Sequence, residues 1–130
     1  AKIFKPKRMI AILGSQGGGR DVWKREAMGR VAAKYLDIVI LTNEDSYDED
    51  PLRIMGDIEK GVVIARRGPK PEIYKMIDRK EAIRKAIALA KPEDVVLLTG
   101  KGGEVWMCVA DEKKLPWDEK KIVEEALRAK

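Results

Sequence analysis

Short continuous apolar runs alternate with longer amphipathic stretches along this chain. The run 9–13 (MIAIL) stops at Gly14, 38–41 (IVIL) leads into an acidic loop, and 95–98 (VVLL) stops at Thr99-Gly100. Brief apolar runs bounded by turn residues predict strands buried on both faces of a parallel sheet. The segments 62–64 (VVI) and 72–77 (EIYKMI) are weaker strand candidates, and 105–109 (VWMCV) fits an edge strand because charged turn residues follow it. Between these runs the apolar positions recur at helical spacing. Ala27, Met28, Val31, Ala32, Tyr35 and Leu36 form one stripe. Leu52, Met55 and Ile58 form a second, entered through Asp50-Pro51, an N-cap followed by proline at the first helical position. Ala82, Ile83, Ala86, Ile87 and Ala90 form a third. Asp78 and Glu81 read as its capping box, and Lys91-Pro92 ends it. Ile122, Val123, Ala126 and Leu127 form the last, capped by Asp118. This alternation predicts an α/β sandwich with a mainly parallel sheet. No repeat or long linker interrupts it, and 66–71 (RRGPKP) is the expected flexible loop.

Composition narrows the chemistry. The chain has 130 residues, which suits one domain with one core. Its single cysteine, Cys108, excludes a disulfide framework, and nothing marks the chain as secreted. No apolar run approaches the ~20 residues needed to span a bilayer, and the basic start, AKIFKPKRMI, lacks the apolar core of a signal peptide. The expected location is cytoplasmic, without membrane attachment. With no histidine, a histidine base, a Ser–His–Asp triad and histidine-rich zinc sites are excluded, and no metal site is expected. The net charge of +5 is weaker than it looks, because charged residues of both signs make up 38% of the chain. Acids cluster at 44–50, and bases at 65–70 and at both ends. Only 7 residues are aromatic, so a solvated charged surface fits better than a nucleic-acid footprint built on stacking.

Ligands of open parallel sheets bind at the carboxyl ends of the strands, and three such ends are unusual here. The first is a glycine-rich turn, Gly14 to Gly19, followed by Arg20, Asp21, Lys24 and Arg25. Entering a helix, it would aim backbone N–H groups at an anion, with Arg20, Lys24 and Arg25 adding charge. On spacing alone it suits a phosphate or carboxylate site or a plain tight turn, and it is neither GxGxxG nor a P-loop. The second runs from Thr42 to Asp50. Its carboxylates suit a cation, an amine or a metal; Asp48 and Glu49 read as solvated, while Glu44 and Asp45 stay open. The third is Thr99-Gly100-Lys101-Gly102-Gly103-Glu104, where glycines admit a ligand between opposite charges. Cys108 reads as a buried thiol, and Trp106 and Trp117 as packing residues.

Taken together, these segments resemble the C-terminal domain of the Mur ligases, nearest to the UDP-N-acetylmuramoyl-tripeptide synthetase branch, which adds the third residue of the peptidoglycan stem peptide. GGGRDVWKREAMG (17–29) is similar to the family's GGDRDxxKRPxMG segment. NEDSYDEDP (43–51) sits where the family has DNPRxEDP, and TGKGGE (99–104) where it has GKGHE. The tail 109–127 resembles the family's short hairpin, P-F-D turn and last helix. The resemblance implies a Rossmann-like three-layer sandwich with about six strands in a mainly parallel sheet and an edge hairpin. It implies a single C-terminal domain over 1–130, with the N-terminal and central ATPase domains absent.

The activity implied is ATP- and Mg²⁺-dependent amide ligation, with both cofactors bound mainly by the missing central domain. The partners implied are an amino acid (lysine, ornithine or diaminopimelate), UDP-muramoyl-dipeptide, and those missing domains. By the same resemblance Arg20 would contact the amino acid's carboxylate, Lys24 would face the ATP phosphates and carry the catalytic contribution, and the two together would form this domain's contact with the ATP. Gly100 and Glu104 would hold the far end of the amino acid side chain, beside Glu44, Asp45 and Tyr47. This sequence departs from the family where Tyr47 replaces the DNPR arginine, Ser46 its proline, and Gly103 the histidine of GKGHE. Losing that arginine, linked with diaminopimelate recognition, favours a plain amine side chain. The alternatives are a stand-alone anion- or nucleotide-binding module, a folylpolyglutamate-synthase-type ligase domain, and a basic nucleic-acid-binding domain.

Overall fold

The computed structural model describes residues 6–15, 17, 22–99, 106–108 and 114–130, with backbone only for 106–108 and 114–116. Four strands, β1 (Met9–Leu13), β2 (Ile38–Leu41), β3 (Glu72–Lys75) and β4 (Val95–Leu98), form a parallel sheet in the order β3-β2-β1-β4. Ile10 pairs with Ile38, and Ile12 with Leu98, so the apolar runs lie in register across the sheet. Four helices cover it: α1 (Val22–Tyr35), α2 (Pro51–Ala65), α3 (Arg79–Leu89) and α4 (Glu119–Arg128).

Alternation along the strands splits the core in two. Ile10, Ile12, Ile38 and Ile40 face α3 and α4, where Ala82, Ile83, Ala86, Ile87, Ile122 and Ala126 meet them. Ala11, Leu13, Val39 and Leu41 face the other way, towards Ala32 of α1 and Met55, Ile58 and Val62 of α2. Successive side chains of a strand point to opposite faces, which is why these runs are apolar throughout. Burying an isoleucine fully contributes about 1.5–3 kcal/mol.

The helix starts follow their caps. Asp50 accepts a hydrogen bond from the Leu52 N–H, Asp78 from those of Lys80 and Glu81, and Asp118 from that of Lys121. Glu81, read as the second half of a capping box, instead pairs with Arg84 at 2.7 Å.

Three expectations need correction. Residues 62–64 form no strand; they lie within α2, with Val62 continuing the buried row of Met55 and Ile58. The parallel sheet has four strands among the described residues, not about six. β5 (Trp106–Cys108) and β6 (Lys114–Pro116) form a separate antiparallel pair rather than an edge of it. The buried face of α1 is Arg25, Gly29 and Ala32, whereas Val31 and Tyr35 are exposed. Its neighbour is the reason: a Cβ on Gly29 would sit 2.1 Å from the Ile58 carbonyl oxygen, and one on Gly61 2.1 Å from that of Glu26. The two helices meet backbone to backbone, which only glycine permits.

Strand order places the site. The chain steps from β1 to β2 to β3, then crosses to β4 on the far side of β1. That reversal opens a crevice above the carboxyl ends of β1 and β4, flanked by β2.

Candidate functional site

The carboxyl ends of β2, β1 and β4 lie side by side, as expected from the three loops that follow them. Thr42 N–H donates to the Leu13 carbonyl at 3.0 Å and Thr99 N–H to that of Ile12 at 3.4 Å, where Thr99 Oγ1 also donates at 2.8 Å. The strand ladder therefore continues one residue into the second and third loops.

The first and second loops are latched. Gly17 N–H donates to the Asp45 carbonyl at 2.9 Å. A Cβ on Gly17 would stand 1.9 Å from the Ser46 carbonyl oxygen, so glycine is required by this approach. Gly14 is tight too, with its virtual Cβ 2.9 Å from Glu44 Cβ. Thr42, Asn43, Asp45 and Ser46 are buried, whereas Tyr47 is exposed. Asp45 and Tyr47 have φ of 44° and 53°, a left-handed backbone that aspartate tolerates better than tyrosine.

Lys24 lies on the first turn of α1, exposed, with its Nζ 5.8 Å from the centroid of the Trp23 ring. Trp23 is itself exposed, an aromatic beside the site that sequence reading passed over.

Arg25 does not lie exposed beside Lys24. Its side chain is fully buried, with Nη1 2.6 Å from Glu49 Oε2 and Nη2 2.9 Å from Glu49 Oε1. Nη1 also donates to Asp57 Oδ2 at 3.0 Å. The hydrogen bond to Glu49 raises the Arg25 pKa, with Asp57 adding to it. This corrects two expectations, that Arg25 adds charge for an anion and that Glu49 is simply solvated. A second buried arginine was not anticipated at all. Arg79 donates from Nε to Glu119 Oε1 at 2.7 Å and from Nη2 to the Thr99 carbonyl at 2.6 Å, just before the third loop. Trp117 packs on the α3–α4 core, as expected, and its Nε1–H reaches Glu119 at 3.2 Å.

Of the site residues expected from sequence, Glu44, Asp45, Tyr47 and Lys24 fall at this edge. Arg20, Gly100 and Glu104 lie outside the described residues, as does the Cys108 side chain. Among the described residues no three Asp, Glu, Cys or His side chains are grouped to hold a metal ion. No described helix is long and apolar enough to cross a membrane. Two apolar grooves lie elsewhere, along the two faces of β4.

Residues 1–102 match the family described as Mur ligase, glutamate ligase domain. The chain is 40% identical over 126 residues to the UDP-N-acetylmuramoyl-L-alanyl-D-glutamate–2,6-diaminopimelate ligase of Caldanaerobacter subterraneus subsp. tengcongensis, covering 97% of this chain and 25% of that one. It is 38% identical over 126 residues to the UDP-N-acetylmuramyl-tripeptide synthetase of Borreliella burgdorferi, covering 97% and 24%. A solved structure of a UDP-N-acetylmuramoyl-L-alanyl-D-glutamate–2,6-diaminopimelate ligase superposes with a TM-score of 0.80 at 28% identity, over 95% of this chain and 24% of that one. The chain thus spans about a quarter of the length of the curated relatives it matches. A switch-point crevice, two latched loops and this likeness over nearly the whole chain make it a member of the Mur ligase family, in its C-terminal domain.

Proposed function

We propose that the chain is the C-terminal, amino-acid-binding lobe of an ATP-dependent amide ligase that extends a peptidoglycan precursor in the cytoplasm. N-terminal and central ATPase domains complete that enzyme, and UDP-muramoyl-dipeptide is its acceptor substrate. The observation that carries the reading is the latch. Gly17 and Asp45 bond main chain to main chain, so the loop preceding Lys24 and the loop bearing Glu44, Asp45 and Tyr47 form one rim.

ATP supplies the phosphoryl group that activates the acceptor carboxylate. The exposed ammonium of Lys24 on the first turn of a helix fits the phosphate side of that nucleotide. Mg²⁺ would be held mainly by the central domain. Arg20 would bind the incoming amino acid's carboxylate through its planar fork. Glu44, Asp45, Tyr47, Gly100 and Glu104 would surround the far end of its side chain. The contribution of this lobe is positioning and charge stabilisation rather than covalent or acid–base chemistry.

The names of the Caldanaerobacter relative and of the solved structure specify diaminopimelate, whereas that of the Borreliella relative names no amino acid. In this chain Tyr47 occupies the place of the arginine that would pair with the second carboxylate of diaminopimelate, among Glu44, Asp45 and Glu104. Lysine or ornithine therefore fits better. A turnover assay of the full-length ligase across these amino acids tests it. Expected is a higher kcat/KM for lysine or ornithine; preference for diaminopimelate sinks this specificity, and no turnover with any of them sinks the ligase reading.

A further inference from the structure

We propose that Arg25 is a positioning residue, which fixes the Asp45–Tyr47 loop relative to Lys24 by gripping Glu49. The inference rests on the amino-acid-binding reading and deepens it.

Arg25 directly follows Lys24 on the first turn of α1, and Glu49 directly precedes Asp50, the N-cap of α2. The fork from Nη1 and Nη2 to both Glu49 oxygens, at 2.6 and 2.9 Å, fixes distance and orientation together. Asp57, on the second turn of α2, holds Nη1 from the other side at 3.0 Å. One guanidinium thus joins the helix that presents Lys24, the acidic loop, and the helix that follows it. The loop needs such a hold. Two non-glycine residues in it, Asp45 and Tyr47, have positive φ, a strained backbone that persists where surrounding contacts enforce it. Among the contacts that hold it are the Gly17–Asp45 bond, a turn bond from Glu49 N–H to the Ser46 carbonyl at 3.1 Å, and the Arg25 fork. A buried ion pair is no cheap source of stability, since apolar residues of equal volume often do as well. What apolar residues cannot reproduce is the directional grip.

The test uses the full-length ligase with Arg25→Met, Glu49→Gln and the double variant Arg25→Met/Glu49→Leu. Lysine serves as substrate, or whichever amino acid gives turnover. Expected is a KM for the amino acid raised on the order of ten- to a hundredfold in Arg25→Met and in the double variant. The double variant should melt within a few degrees of wild type, separating grip from stability. A double variant whose KM returns to wild type along with its melting temperature would overturn the proposal. Should Arg25→Met fail to fold, Glu49→Gln decides, because Asp57 still neutralises the arginine. An unchanged KM in Glu49→Gln would then overturn the proposal.

Amide spectra of the 130-residue chain separate this failure from failure of the functional reading. Without any turnover in wild type, the Asp45, Ser46 and Tyr47 signals should still move in the double variant, while those of Ala82 and Ile83 stay. Unmoved signals at 45–47 overturn the clamp itself.

Discussion

Two fully buried arginines brace the carboxyl edge of the sheet, one in each helical layer, and they are neutralised differently. Arg25, between α1 and α2, meets two carboxylates, Glu49 and Asp57, whose side chains are 18% and 36% exposed. Arg79, at the start of α3, meets one carboxylate among the described residues, Glu119, 6% exposed, and takes the Thr99 carbonyl as its other acceptor. Its Nη1 is buried without a hydrogen-bond partner among the described residues. The Arg25 clamp is therefore redundant in charge and touches water at its rim. Among the described residues the Arg79 clamp is dry and has no reserve. Redundancy suits a loop whose geometry must be exact while its neighbours meet a ligand. A dry single pair suits a joint that holds α3, α4 and β4 together.

The largest expected effect follows from that missing reserve. Glu119→Gln removes the one carboxylate that Arg79 meets among the described residues, and breaking such a buried pair costs about 3–5 kcal/mol. Urea unfolding should show a loss of that size, a large share of the ~5–15 kcal/mol of a typical domain. A loss below about 1 kcal/mol would mean that Arg79 relaxes to water, as exposed pairs can, and the contrast between the clamps would collapse. Glu49→Gln should cost less, about 1–2 kcal/mol, because an acceptor oxygen and Asp57 remain. Equal losses in the two variants would break the comparison; a small loss at Glu49 with a large rise in amino-acid KM would sharpen it.

Both arginines left traces in the sequence, but of unequal clarity. Arg79 stands on the apolar face of its helix, three and four residues before Ala82 and Ile83, and seven and eight before Ala86 and Ile87. A charged residue in phase with a buried stripe points to a buried partner. Arg25 is in phase with Gly29 and Ala32, a row with almost no side-chain signal. The larger apolar residues Met28, Val31 and Tyr35 therefore captured the assignment of the buried face. Glycines serving a helix crossing look like weak helix positions until the partner helix, with Gly61, is placed against them. The short run at 62–64 failed for a related reason: three β-branched residues suit a strand locally, and only the longer phase from Met55 through Ile58 reveals a helix. The strands 9–13, 38–41 and 95–98 were legible because burial on both faces leaves an unbroken apolar run. The loops following them were legible as candidate sites from glycine and charge, but the Gly17–Asp45 latch was not, since main-chain bonds carry no side-chain code.

A third arginine–carboxylate pair, at the opposite end of the sheet, supplies a control for both clamps. Arg8 reaches Asp94 Oδ2 from Nε at 3.0 Å and from Nη2 at 2.7 Å, and the Lys91 N–H adds a bond at 2.8 Å. The hydrogen bond from Arg8, then that from Lys91, holds the Asp94 carboxyl below its ordinary value of 3.8. A carboxyl whose pKa is lower folded than unfolded contributes stability above its unfolded value, and loses it as pH falls through the folded one. Arg8 keeps its proton throughout, its own pKa being raised by Asp94. The contribution should therefore be flat near neutrality and disappear in acid. Wild type and Asp94→Asn should differ in urea midpoint at pH 7 and converge as pH falls below about 4. Curves that stay parallel into acid would assign the Asp94 effect to packing rather than charge. This pair borders no carboxyl-edge loop, so Asp94→Asn should leave amino-acid KM unchanged. A rise in KM there would mean that any weakened arginine pair disturbs the site, and the special place given to Arg25 would be lost.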